Sequence, residues 1–210
     1  MSQQRFTPMN YELVYIGNNL TLYHNNYTPD GSGTKMPWRD LVNLYGKLTS
    51  GISQVRLSFN FPDGPHEIVG TVAQNPIDET QLLFTPYSET LPANTLEAVD
   101  AIIDPWTVTV DSALLSPAVG ARYLILNPIG TVTSESAELW SGAPGTNLIA
   151  KANDIIEWTG SYWTVGFDSG SSSIEYVTNL KTTTQYRWDG AAWVKSYEGI
   201  YRSGDWSLVL

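Results

Sequence analysis

The sequence predicts a mainly β protein built from antiparallel hairpins, and three observations carry that reading. Only 15% of the 210 residues are charged while 12% are aromatic, a balance that suits strands better than solvent-exposed helices rich in Glu and Lys. Within Gln54–Phe61, Val55, Leu57, Phe59 and Phe61 alternate with Arg56, Ser58 and Asn60, which is the period of a half-buried strand. Six of the eight tryptophans lie after residue 139, in segments that read as strand, tight glycine-containing turn, strand.

Taken in order, Tyr11–Ile16 and Leu20–Tyr23 flank Gly17-Asn18-Asn19, turn residues that tolerate positive φ, and predict a hairpin. A loop rich in turn formers follows from Asn25 to Gly33, and it is expected to order only on assembly. After Pro37, apolar residues at 38, 41, 42, 45 and 48 fit one face of a short helix, with the proline tolerated in its first turn. Beyond the Gln54–Phe61 strand, Pro62-Asp63-Gly64-Pro65 predicts a turn, with the chain returning as a partner strand from His66 to Ala73. Another strand is expected over Gln81–Phe84. Asn94-Thr-Leu-Glu97 has the form of a capping box, so Thr95–Ile103 is a candidate second helix, ended by Asp104-Pro105. Ser116-Pro117 and the small residues around it suggest a boundary. The expected domains are therefore 1–115, a β-rich assembly part with one or two short helices, and 116–210, a small β domain of Trp-Gly hairpins.

The second half contains an internal echo. Trp158-Thr-Gly160-Ser-Tyr-Trp163 and Trp188-Asp-Gly190-Ala-Ala-Trp193 both read W-x-G-x-x-W. Looser relatives are Glu138-Leu-Trp140-Ser-Gly142 and Tyr201-Arg-Ser-Gly204-Asp-Trp206. Two tryptophans flanking a tight turn can pack across the hairpin. Two good copies with unequal inserts do not make a propeller.

These stretches resemble a known module. Val119-Gly-Ala-Arg-Tyr-Leu-Ile-Leu126, then Leu139-Trp-Ser-Gly142 and Asn153-Asp-Ile-Ile-Glu-Trp-Thr-Gly-Ser-Tyr-Trp163, are similar to a module of bacteriophage tail and fibre proteins. Tyr176–Leu180, Tyr186–Gly190 and Tyr197–Trp206 resemble virion proteins of T4-like myoviruses, particularly those infecting cyanobacteria. The resemblance covers roughly the last 95 residues and carries no catalytic residue. It implies a structural component of the tail, baseplate, fibre or capsid surface, assembled in the host cytoplasm with other virion proteins.

Composition narrows the function classes. The net charge is −10 and no basic patch exceeds two residues, so a nucleic-acid partner, which needs cations to displace phosphate counterions, is not expected. With no cysteine, disulfides and thiolate metal sites are excluded. Met1-Ser2-Gln3-Gln4-Arg5 lacks the apolar core of a signal peptide. No apolar run approaches the roughly 20 residues of a membrane span, so membrane insertion is not expected.

Chemical motifs are equally sparse. His66-Glu67 begins like H-E-x-x-H, but position 70 is Gly70 and adjacent strand residues point to opposite faces. His24 stands alone in a polar loop. The Ser169–Ser173 run lacks the lysine of a phosphate-binding loop, and Glu157 alternates away from its neighbour Trp158. No catalytic residue, metal site or cofactor is expected. Contacts made through surfaces remain. Trp38, Trp106, Trp140, Trp163 and Trp193 are candidates for an interface or for stacking on a ligand, with Trp38 and Trp106 preferred for a contact between subunits. Trp158, Trp188 and Trp206 are candidates for the β-domain core. The first reading is a non-enzymatic homo-oligomer within a particle, and the alternative is a module that binds a glycan or host receptor through exposed aromatics.

Overall fold

Residues 5–61, 64–130 and 139–210 are described in the computed structural model, and its sheets are almost wholly antiparallel. In chain order the elements are β1 (Arg5–Phe6), β2 (Glu12–Ile16), β3 (Asn19–Tyr23), β4 (Lys35–Met36), α1 (Trp38–Tyr45), β5 (Gln54–Phe61), β6 (Gly64–Gln74) and β7 (Gln81–Pro86). There follow β8 (Ala101–Ile103), β9 (Arg122–Ile125), β10 (Ile155–Trp158), β11 (Trp163–Phe167), β12 (Glu175–Asn179), β13 (Thr184–Trp188) and β14 (Trp193–Lys195). The chain ends with β15 (Gly199–Tyr201) and β16 (Trp206–Val209). Among the described residues no helix is long and apolar enough to cross a membrane. Two compact units result: Met1–Pro92 with Tyr197–Leu210, and Ala93–Ser196.

In the first unit, Gly17 adopts φ 66° and closes the β2–β3 hairpin with Ile16 opposite Asn19. Pro37 is the residue before α1 rather than within it, and Trp38, Leu41 and Val42 turn inward, as the apolar spacing requires. β5 pairs with β6 along its length, setting Val55 opposite Gly70 and Leu57 opposite Ile68. Gly70 is the one inward position of β6 where a side chain has no room: a Cβ there would lie 2.4 Å from Thr85 O and 2.6 Å from the Phe84 ring.

The sheet order is β1-β16-β5-β6-β7-β3-β2-β15, with β4 beside β3. β15 and β16 stand near opposite ends of that path, yet four residues, 202–205, connect them. Such a link reaches at most about 18 Å, so the sheet must curl until its ends approach. Two hydrogen bonds fasten the seam, from Trp206 Nε1 to Tyr11 O at 3.2 Å and from Ser203 Oγ to the same oxygen at 3.0 Å. Inside the curl Leu13, Tyr15, Leu20, Leu22, Val55, Leu57, Ile68 and Trp206 form one core. Burial, with Tyr197, Glu198 and Tyr201 alongside, pushes the Tyr15 phenol far above its ordinary range.

The second unit has a four-stranded sheet, β11-β10-β9-β8, and a three-stranded one, β12-β13-β14. β9 is buried on both faces. Tyr123 and Ile125 join Trp140 and Trp163 in one core, and Leu124 joins Ile155, Phe167, Val177 and Trp188 in another. That explains the unbroken apolar run at Tyr123–Leu126, since a strand covered twice has no reason to alternate. Both W-x-G-x-x-W segments are hairpins with their tryptophans directly opposite. The ring centroids lie 5.3 Å apart in the first and 5.5 Å in the second, with interplanar angles of 49° and 50°. The residue after the first tryptophan holds each turn. Thr159 Oγ1 accepts from Tyr162 N at 3.1 Å, and Asp189 Oδ1 accepts from Ala191 N and Ala192 N at 2.9 and 2.8 Å.

Several expected elements and boundaries differ from the structure. The units divide after Pro92 and not near 115–116, because Thr95 N and Leu96 N bond Tyr176 O and β8 pairs with β9, while β15 on β2 and β16 on β5 and β1 carry the last strands back into the N-terminal sheet. Thr95–Ile103 is not a helix: its β-branched end forms β8, parallel to β9. Asn94 caps nothing, because its side chain bonds Thr178 and Gln185. Tyr201–Trp206 is not a hairpin, since its two strands pair elsewhere. The segment at Trp140–Gly142 is a reversal closed by one bridge, Ser141 to Asn147. Glu138 at its start, Pro62-Asp63 of the predicted turn and Met1–Gln4 lie outside the described residues.

Gly70→Ala is expected to destabilise the first unit by about 2 kcal/mol, the usual cost of overpacking, measured by urea denaturation. Asp189 gives a pH signature. Partial burial raises its carboxyl, but the N–H groups of Ala192 and Ala191 and the charge of Arg187 outweigh this and hold it below its ordinary value of 3.8. A lowered carboxyl stabilises the fold above its ordinary value, and the contribution is lost as pH falls through the folded one. Asp189→Ala should therefore cost about 1 kcal/mol at pH near 7, with the gap narrowing as the pH falls below 3.8, whereas Thr159→Ala should cost the same at every pH.

Candidate functional site

Burial separates the eight indoles. Trp38, Trp140 and Trp163, expected at a contact surface, are instead 2%, 0% and 2% exposed, because each faces a core. Trp188 and Trp206 lie in cores at 1%. Trp158, expected in the core, is half-buried, as is Trp193. The two hairpins thus bury opposite members of the same pair: the second tryptophan in one, the first in the other. Most indole N–H groups bond a backbone oxygen: Trp38 to Leu20, Trp188 to Ser171, Trp193 to Asn153. The Trp140 N–H has no partner among the described residues.

Trp106 stands apart at 46% exposed. It sits in a 3-10 turn, Pro105–Thr107, whose proline starts it with φ already set. Asp104 clamps the turn twice: Oδ1 accepts from Trp106 N at 3.0 Å and from Asn127 Nδ2 at 3.0 Å. The indole Nε1 donates to Pro128 O at 2.8 Å. Three hydrogen bonds therefore hold the turn, one of them on the indole itself, while nearly half the residue's surface faces solvent. Leu126, 52% exposed, precedes Asn127 on the strap that holds it. An aromatic held rigid before binding loses little entropy when a partner covers it.

A second feature is an open recess of about 400 Å³ on the first Trp-Gly turn, lined by Ser141, Thr146, Asn147, Ser161 and Tyr162 among others. Its hydroxyls, amide and single ring suit a hydrated, hydroxyl-rich ligand better than a greasy one.

The other groups singled out in the sequence have partners within the fold. Glu157 lies opposite Arg122 across β9 and β10, with its Oε2 3.6 Å from a guanidinium that is only 7% exposed. His24 stacks on Tyr11 and His66 on Phe59. Among the described residues no group of three His, Cys, Asp or Glu side chains comes together as a metal site would need. The Ser169–Ser173 run is tied down, with Ser169 N on Asp154 and the Ser171 carbonyl under Trp188. The Asn25–Gly33 loop is held by its own bonds, Gly31 N to Thr28 O and Thr34 N to Asn26 Oδ1. Hydrogen bonds from Thr28 and Ser32 lower the Asp30 carboxyl to about 2.

Sequence reasoning passed over Ile77, which is 94% exposed at the tip of the β6–β7 turn. The available signal was one apolar side chain inside the turn-forming run Asn75-Pro-Ile-Asp-Glu-Thr80. Comparison with protein-family models, with curated proteins and with solved structures finds no match.

Trp106→Ala is expected to reduce the stability of the second unit by about 1 kcal/mol, one net hydrogen bond. Trp163→Ala should cost about 3–5 kcal/mol, the range for an emptied core site. Equal losses in chemical denaturation would make Trp106 a structural residue and remove it as a contact.

Proposed function

We propose that the protein is a non-enzymatic structural component of a bacteriophage particle, working through protein–protein contacts in the tail, baseplate, fibre or capsid surface. The observation that carries the contact reading is Trp106, whose backbone N–H is bound by Asp104 and whose indole N–H is bound by Pro128, and which is left 46% exposed. A monomer gains little from fixing a large apolar ring in water, whereas an interface gains a preformed anchor. The resemblance of the Trp-Gly segments to phage tail proteins supports the particle, and the net charge of −10 speaks against nucleic acid as the surface bound.

A second reading, a glycan- or receptor-binding module, is favoured by the recess beside Tyr162, where Asn147 and several hydroxyls surround one ring. The two readings predict different losses. Tyr162→Ala would abolish sugar-dependent changes in fluorescence and leave assembly intact.

The test of the first reading is fractionation of lysates from infected host cells on a density gradient. The protein should band with purified particles at a fixed copy number, and Trp106→Ala should weaken its retention there without lowering its melting midpoint by more than a few degrees. Recovery of the native protein only in the soluble fraction would overturn the proposal.

A further inference from the structure

The first unit carries an exposed apolar side chain and, close to it, a small apolar pocket. The side chain is Ile77, held out on a turn that is heavily cross-tied. Asn75 Oδ1 accepts from Ile77 N at 2.9 Å, Asp78 Oδ1 accepts from Thr80 N at 2.9 Å and from its hydroxyl at 2.6 Å, and Gln81 N donates to Asp78 O at 3.1 Å. Asn75 Nδ2 adds a bond to Gln81 Oε1 at 3.0 Å. Single exposed apolar residues are ordinary. One that is 94% exposed on a turn with this many bonds is a preformed knob.

The pocket, of about 150 Å³, lies beside α1, with Trp38, Val42, Leu48 and Leu82 among its walls and Arg39 and Asn43 at its side. A dry apolar cavity of about that volume accommodates benzene, so the four-carbon side chain of isoleucine fits. Ile77 is exposed and so does not fill the pocket of its own chain. Knob and pocket nevertheless share one turn, because Gln74 and Leu82, which line the pocket, flank it on either side. Their rims are also of opposite charge. Arg39 and Glu79, 61% and 54% exposed, pair at 2.5 Å within one chain, and the same pair can be exchanged between two copies.

We propose that this face binds a second copy of the chain, with Ile77 of each copy entering the pocket beside α1 of the other. The inference rests on the reading that the protein works through protein contacts, and it names one partner. A surface that presents a knob next to the hole that fits it is what a two-fold, reciprocal interface requires.

The chain has no cysteine, which makes trapping clean. Ile77→Cys and Asn43→Cys variants, mixed and mildly oxidised, should give a mixed disulfide dimer well above the dimer that either forms alone. In sedimentation the native protein should be a concentration-dependent dimer, and Ile77→Asp should weaken it about tenfold or more with an unchanged melting midpoint at concentrations where both proteins are monomeric, since the residue contributes nothing to the core. A native monomer at every concentration, a mixed dimer no stronger than the single-variant controls, or an Ile77→Asp protein that still dimerises would each overturn the proposal. A monomeric Ile77→Asp protein that still bands with particles would leave the assembly reading standing, whereas native protein absent from particles would fail that reading whatever the mass.

Discussion

The architecture of the first unit depends on one return of the chain. After Pro92 the backbone leaves, and at Tyr197 it comes back to supply the strands β15 and β16. Without them the sheet would lose one end strand and the strand that joins β1 to β5, and the core would lose Tyr197, Tyr201, Trp206 and Leu208. The four-residue link between those strands bends the sheet, and the bend makes an inside for Leu13, Leu20 and Leu57 to fill. Trp206 serves both purposes, with its ring in the core edge-on to Trp38 and its N–H on the far end of the sheet.

In the second unit the repeated hairpin shows how far a local motif reaches. The two copies share register, ring separation and a side-chain acceptor after the first tryptophan. These features are set by strand pairing and turn chemistry within a few residues, so they repeat. Which indole is buried does not repeat. Trp163 packs with Tyr123 and Trp140, while Trp188 packs with Phe167. Each choice follows from which strand of the hairpin faces its own core.

The surface features share a physical logic. Exposed apolar groups are usually mobile or scattered, and binding must then order them. Trp106 and Ile77 are held by networks built around a neighbouring Asp or Asn, so the cost of order falls on folding. Polar turn formers thereby do more than reverse the chain: they aim a hydrophobic residue outward and keep it there. Loops that carry function on a rigid scaffold are commonly built in this way.

The sequence by itself determined the local structure. Alternation placed β5, spacing placed α1, glycine and asparagine placed the β2–β3 turn, and W-x-G-x-x-W placed two hairpins, because each depends on interactions within a few residues. Tertiary structure alone decided the rest. The apparent capping box at Asn94 gave way to bonds with Thr178 and Gln185, more than eighty residues away in sequence. The expected hairpin at 201–206 was divided between two distant partners. The burial of Trp38, Trp140 and Trp163, the exposure of Trp106 and the pocket beside α1 likewise depend on which surfaces meet after the chain has folded. Composition can say that indoles will be buried somewhere, but the choice among eight chemically identical side chains is made by long-range packing.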